Sequence, residues 1–338
     1  MPLTFSNRAP VAASWQYLQN RARRQLPSNT QAAARYGTAF HVTPPYRDVR
    51  EIPLEKFVFQ PATGVYLETR DQERLLSWAR SDAYLNWQLA HSDHQAPVVW
   101  YVPAGTRQEV VALATKSATG FVSQLQWIVL GAGAELNLVE SVAGQQFGVR
   151  RLFVQQAAGS VFTYWALQAH NDFLNAKLRV ELVGDDARVA IHHLMMGGGT
   201  TQADIAVTVH HHGQRTQAQV KARAAATGRA LALYRGLLKV GPHATATQGY
   251  QHGKALLLSP QAVIDVLPEL AITTNDVRCS HGVTVMHLDD MSLWYLRSRG
   301  LPEDQARALA ITGFFNHDLQ IPSVLKSRLE DALASLVR

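Results

Sequence analysis

The stretches WIVLGAGAELNLVES (127–141), LFVQQAAGSVFTYWAL (152–167) and VELVGDDARVAIHHL (180–194) share one layout. Each runs from an apolar, strand-forming segment through a corner of small residues into a second such segment, and ARAAATGRALALYRGLL (222–238) repeats it. The corner glycines Gly133, Gly159 and Gly184 are spaced by 26 and 25 residues. Glycine and alanine suit places where the chain bends sharply and neighbouring coils approach closely. Short strands at a steady repeat, with no long helical period, point to a solenoid whose coils carry three strands or so. A Greek-key sandwich is the competing all-β arrangement, and the repeat favours the solenoid.

The flanks read differently. Residues 1–95 mix helical and irregular signals. AASWQYLQNRARRQL, with Trp15, Leu18 and Ala22 at helical spacing, reads as an amphipathic helix stopped by Pro27. PPYRDVREIPL is an extended connection, and TRDQERLLSWARSDAYLNWQLA is a second helix. Beyond the strands, Asp289 or Asp290 caps MSLWYLRSR and Gly300 stops it; Pro302 then opens a helix with Glu303 and Asp304 in its first turn. Pro322 opens another, with Leu325, Leu329, Ala332, Leu333 and Leu336 as an apolar stripe. A solenoid presents unpaired edges at an uncovered end, and these helices are available to cover it or to dock a partner. The expected division is 1–95 helical or irregular, 96–285 β-solenoid, and 286–338 helical.

Composition narrows the function. Hydrophobic residues make up 47% of the 338, enough for a sizeable core, and no apolar run approaches membrane-spanning length. A single cysteine excludes an internal disulfide framework and fits a reducing compartment. The net charge of +6 is spread over scattered lysines rather than a basic block, which argues against nucleic acid. No secretory signal is legible, so the expected location is cytoplasmic. An N-terminus with Arg8, Arg21, Arg23, Arg24 and Arg35 and no acid before Asp48 leaves an organellar address open.

Nucleotide motifs fall short. GAGAEL (131–136) lacks the third glycine of a dinucleotide turn, and GYQHGKA (249–255) is one residue short of a phosphate loop, with Ala255 in place of its hydroxyl. Both read as coil corners. Among the histidines, His210 and His212 fall on one face of a strand and His211 on the other, and no metal-binding motif completes itself within one coil. That leaves Cys279 and His281, which at i and i+2 on a strand share a face roughly 7 Å apart. Thiolate and imidazole suit iron, zinc or an iron–sulfur cluster, but two ligands do not make a stable site. A catalytic thiol would need its base in contact, which same-face neighbours do not readily provide. A lone structural cysteine is the third reading.

The residues around that pair carry a resemblance. LLLSPQAVIDVLPELAITTNDVRCSHGVTVMHLDDMSLWYLRSRGLPEDQARALAITGFF (256–315) resembles the C-terminal signature of the SufB/SufD family of iron–sulfur cluster assembly proteins. The matching elements are the LLLS strand, D-x-x-P-x-L-x-I, D-V-x-C-S-H-G-x-T-V and the helix end YLRSRG, with LALYRGLLKV (231–240) before them. CSHG, where SufB chains carry a His-Glu-Ala type sequence, places the likeness on the SufD side.

The resemblance implies a right-handed parallel β-helix flanked by helical regions. It implies a non-catalytic scaffold subunit that pairs with a SufB-like paralogue and carries a SufC-like ATPase on its C-terminal helices, with Trp294, Tyr295, Leu296 and Arg297 as docking residues. It places Cys279 and His281 at the paralogue interface, facing iron or a nascent cluster that is shared with the partner and not stably bound by this chain alone. His281 would serve as iron ligand or proton acceptor, and Cys279 as a thiolate if the assembled site lowers its pKa. A homodimer in isolation is the other assembly to test. The alternative function is a stand-alone β-helix enzyme acting on a carbohydrate or acyl substrate.

Overall fold

The computed structural model describes residues 58–60, 98–113, 121–143, 147–170, 173–288 and 290–337. The N-terminal helices expected at 12–26 and 69–90 lie outside the described residues. The first strands are β1 (Val58–Gln60), β2 (Val98–Val102), β3 (Arg107–Leu113), β4 (Phe121–Leu130) and β5 (Glu135–Ala143). There follow β6 (Phe147–Gln156), β7 (Val161–Ala169), β8 (Phe173–Leu182), β9 (Arg188–Gly197) and β10 (Gln202–His211). The last are β11 (Gln217–Ala226), β12 (Leu231–Val240), β13 (Thr247–Leu257), β14 (Val263–Ile272) and β15 (Val277–His287). Three helices close the chain, α1 (Asp290–Ser298), α2 (Glu303–Asn316) and α3 (Ser323–Val337).

The strands form two parallel sheets. One has the order β1-β2-β4-β6-β8-β10-β12-β14 and the other β15-β13-β11-β9-β7-β5-β3. Each coil therefore contributes one strand to each sheet, and the fold is a parallel β-solenoid with two long strands per coil rather than three. The corners are tight enough that ten-residue strands follow one another directly, which leaves no segment for a third face. β1, from within the region expected to be helical or irregular, adds to the edge of the larger sheet. Coil length drifts. Phe121, Phe147 and Phe173 stand in register, each 26 residues on, whereas Gln202, Leu231 and Val263 are 29 and then 32 apart.

One corner column records why glycine is frequent at first and then not. Gly105, Gly133 and Gly159 have φ of +66°, +64° and +65°, and the column continues through Asp186 (+59°), Arg215 (+53°) and Ala246 (+54°). Backbone bonds bind the corner from coil to coil, Gly133 N–H to Ala158 O, Gly159 N–H to Asp185 O, and Asp186 N–H to Gln214 O. After Gly133 and Gly159 the column thus continues at Asp186, not Gly184. Gly184 lies under the previous coil, where an added Cβ would stand 2.0 Å from the Ala158 nitrogen. Two different constraints, a left-handed turn and a close approach, produce glycines that look alike in the sequence.

The main core lies between the sheets. On β8, Leu174, Ala176, Leu178, Val180 and Leu182 alternate inward and are packed there. Burying each such aliphatic side chain contributes about 1.5–3 kcal/mol relative to exposure. A second core lies outside the seven-stranded sheet. Val139, Trp165, Leu167, Leu194 and Met196 on the strands meet Phe315, Ile321, Leu325, Leu329, Leu333 and Leu336 of the C-terminal segment. The apolar stripe of α3 is the one its spacing predicts. Gly300, at φ +93°, ends the first helix, and Pro302 stands before α2. Beyond α2, Arg223 of β11 bonds both His317 O, at 2.6 Å, and the Asp318 carboxylate, fixing the α2–α3 connection to the sheet. The helices α2 and α3 therefore cover a side of the solenoid. They do not cover its end, because their apolar faces meet outward residues of the seven-stranded sheet, from Val139 on β5 to Leu256 on β13.

Candidate functional site

The uncovered end carries the residues singled out in the sequence. β15 is the last strand of its sheet, and it pairs in parallel with β13. Cys279 stands opposite Gly249, His281 opposite Gln251, Val283 opposite Gly253 and Val285 opposite Ala255. The four β13 partners are the buried alternation of that strand. Strand geometry thus turns Cys279, His281, Val283 and Val285 toward the same interior side. In the middle of the solenoid such residues are sealed by the next coil. Here His281 is exposed, and Val283 and Val285 are 39% and 52% exposed. Ile272, at the end of β14 in the other sheet, is also exposed.

Cys279 is half-buried because Gly249 makes room for it. A Cβ on Gly249 would stand 3.2 Å from Cys279 Sγ, 3.2 Å from Leu238 Cδ1 and 3.8 Å from His211 Nε2. The thiol and the His211 imidazole therefore border the same small space, although they belong to opposite sheets. His211 is fully buried, and its Nδ1 lies 2.8 Å from Thr216 Oγ1. Burial, reinforced by His210 and His212, pushes its pKa down to about 4, so it is neutral at pH 7. Burial pushes the Cys279 thiol up, and a backbone hydrogen bond with Gly249 only partly offsets this. In the free chain the sulfur is a protonated thiol at neutral pH. Metal binding there requires an added positive charge to draw off the proton.

The pair Cys279 and His281 shares a face, as its spacing predicts, but it offers two ligands of different accessibility. His211 is an imidazole beside the thiol that spacing alone did not reveal. The only signal was the alternation that sends His211 inward while His210 and His212 go outward. The outward pair meets Glu181, from the preceding coil of the same sheet, in a cluster described below.

α1 packs lightly. Of its residues only Leu293 is buried, while Met291, Trp294 and Tyr295 are 68%, 62% and 53% exposed. Leu296 is half-buried, and Arg297 is exposed and pairs with Glu303 at 3.4 Å. Arg299 lies over the Tyr295 ring, 5.2 Å from its centroid. Ala310 of α2 lines a surface cavity together with Met291, Tyr295 and Leu296. No helix among the described residues is long and apolar enough to cross a membrane.

Comparison with known proteins gives a consistent set of likenesses. The family described as SUF system FeS cluster assembly, SufBD core domain, matches residues 93–314. The iron–sulfur cluster assembly protein SufD of Escherichia coli is 31% identical over 134 residues, 40% of this chain and 32% of that protein. A SufBD family protein of Synechocystis is 40% identical over 107 residues, 31% of this chain and 24% of its own length. SufD of Bacillus subtilis is 28% identical over 151 residues, 44% of this chain and 35% of that protein. The chain thus spans about a third of the length of the relatives it matches.

Proposed function

This chain belongs to the SufBD core family of the SUF system for iron–sulfur cluster assembly, and on that premise we propose that it is a SufD-type scaffold subunit without catalytic activity of its own. The observation that carries the proposal is the open terminal coil. It sets Cys279, His281 and two exposed valines on an unpaired strand edge, beyond the reach of the helices that seal the flank.

An exposed parallel edge with apolar residues is a template for another chain. A SufB-like paralogue would add its own strands to β14 and β15 and seal Val283 and Val285. In doing so it would bring ligands to Cys279 and His281, which by themselves are too few to hold a metal. Iron, sulfide or the growing cluster is cargo at this junction. The cation's charge would draw the proton from the Cys279 thiol, which burial otherwise retains, and the exposed imidazole of His281 would supply a nitrogen ligand. The apolar surface of Met291, Trp294, Tyr295 and Leu296 is the proposed docking face for a SufC-like ATPase. Its motion would reach β15 through the short link between His287 and α1. Among the described residues the interior gives the enzyme alternative no support. The two cavities that Tyr164 and Met195 help to line hold about 20 Å³ each, room for a water and not for a sugar.

Coexpression of the tagged chain with SufB-like and SufC-like subunits tests this directly. The expected result is a stable complex whose cluster content falls at least tenfold in Cys279→Ala or His281→Ala, with complex formation retained. Full cluster loading in both variants would remove the site assignment. Failure to capture either partner would remove the scaffold reading.

A further inference from the structure

The histidine run divides across the eight-stranded sheet. His211 enters the core, and His210 and His212 project from the outer face at the end of β10. Glu181, at the end of β8, stands in direct register with His210 on the neighbouring strand. Its Oε2 lies 3.2 Å from His210 Nδ1 and contacts His212 Nε2, and the two imidazole centroids are 3.7 Å apart. The other carboxylate oxygen, Oε1, accepts a hydrogen bond from Arg179 Nε. One donor atom from each of Glu181, His210 and His212 lies within 4.8 Å of the other two.

We propose that Glu181, His210 and His212 form a binding site for one divalent transition-metal ion, zinc or iron(II), separate from Cys279 and His281. The ligand atoms are Glu181 Oε2, His210 Nδ1 and His212 Nε2, with the remaining positions open to solvent on the His212 side. Three observations carry this. The donor set is two imidazoles and a carboxylate with open positions, the arrangement favoured by non-haem iron(II) and shared by open zinc sites. The spacing of Glu181 and His210 fits, since ligands bound at about 2.0–2.1 Å in a tetrahedron stand roughly 3.4 Å apart, close to their 3.2 Å; His212, in closer contact with the carboxylate, would swing outward to admit the ion. The support is rigid: two ligands come from adjacent, registered strands, and Arg179 fixes the free carboxylate oxygen as an outer partner.

Accessibility is graded in the right sense. The Glu181 side chain is 9% exposed, His210 14% and His212 38%, so an ion would enter past His212 and settle on the carboxylate. Burial would raise the Glu181 pKa, but the two imidazoles and Arg179 outweigh it and hold the group well below the carboxylate range. The ligand is therefore already deprotonated at neutral pH. Arg179 and Lys239, which pairs with His210 on β12, are the cations that face the cluster and temper its affinity for a dication.

The test uses the full 338-residue chain, freed of tag and stripped of metal, titrated with zinc and separately with cobalt(II). One equivalent is expected to bind, giving cobalt d–d bands without a thiolate charge-transfer band. Loss of an outer partner alone weakens metal sites by about 10–100-fold, so Glu181→Gln is expected to weaken zinc binding by more than about 100-fold. His212→Gln, at the exposed edge of the cluster, is expected to do the same with an unchanged circular-dichroism spectrum, and it stands alone if the buried Glu181 variant fails to fold. Cys279→Ala and His281→Ala should leave the equivalent intact. The proposal is overturned if the unaltered chain takes up no zinc, or if His212→Gln binds as tightly as the parent. Neither result bears on the scaffold reading, whose test is partner capture.

Discussion

The helix-covered flank and the open end of the solenoid are built from the same kind of strand and differ in what lies beyond them. On the flank, Trp165, Leu167, Leu194 and Met196 project outward and are sealed by Phe315, Leu325, Leu329 and Leu336. At the end, Val283 and Val285 occupy positions that would be core one coil earlier, yet they are 39% and 52% exposed. A solenoid is stabilised by nearest-neighbour stacking, so a terminal coil has half the contacts of an internal one. The chain covers its side and leaves its end open. Carrying the strand pattern through to an unsealed end leaves apolar residues exposed where stability alone would put polar ones.

Acid should break this difference most severely, because the covered interior holds neutral histidines. His192 lies against Trp165 at 3.9 Å between ring centroids, with its pKa pushed down to about 4 by burial and by Lys221. His193, between Tyr164 and Tyr234, is pushed down to about 3 by burial and by His192, and His211 to about 4. Below pH 6.5 the unfolded chain binds protons that these groups refuse in the folded state. Each therefore removes stability at about 1.4 kcal/mol per pH unit until pH reaches its folded value. Glu181 acts in the same sense at lower pH, since its folded pKa is also depressed. Urea midpoints measured from pH 7 to pH 4 should fall steeply, and a flat profile would mean that the histidines are not buried and neutral.

Next in size is the flank itself. Phe315 is fully buried between α2 and the sheet, and Phe315→Ala is expected to cost about 3–5 kcal/mol in denaturant unfolding. A cost under about 1 kcal/mol would show that the helices do not seal that face. The smallest stability effect belongs to the end. Val285→Lys should change the unfolding free energy of the isolated chain by less than about 1 kcal/mol, while an edge lysine abolishes capture of a SufB-like partner. If it destabilised the chain as much as the flank variant, the two regions would not differ as described.

Much of this was legible in the sequence, and the misses share a cause. Strand, corner and helix texture follow from local spacing, so the solenoid, the stop at Gly300 and the stripe on α3 are readable. Relations between coils are not. The repeat drifts from 26 to 32 residues, so no fixed period aligns Gly159 with Asp186 or Glu181 with His210. The same drift hid the count of two strands per coil. At the candidate site, the shared face of Cys279 and His281 is a property of one strand and was legible. The approach of His211 to the thiol depends on the empty Cβ position of Gly249 and on the width between sheets, which only coordinates supply.

The placement of α3 has a mechanical consequence. Its apolar stripe lies across β5, β7 and β9, so it acts as a splint over three successive rungs, while β13 and β15 join the helix cluster only near their ends, through Leu256 and Met286. A pull applied through the starts of the last rungs meets mainly ladder hydrogen bonds, because the contacts of β13 and β15 with the helices lie near the strand ends, at Leu256 and Met286. The splinted rungs yield only when α3 lifts as a unit. The rung that carries Cys279 and His281 is thus the compliant part of a stiff rod, and strain applied to that end would concentrate there.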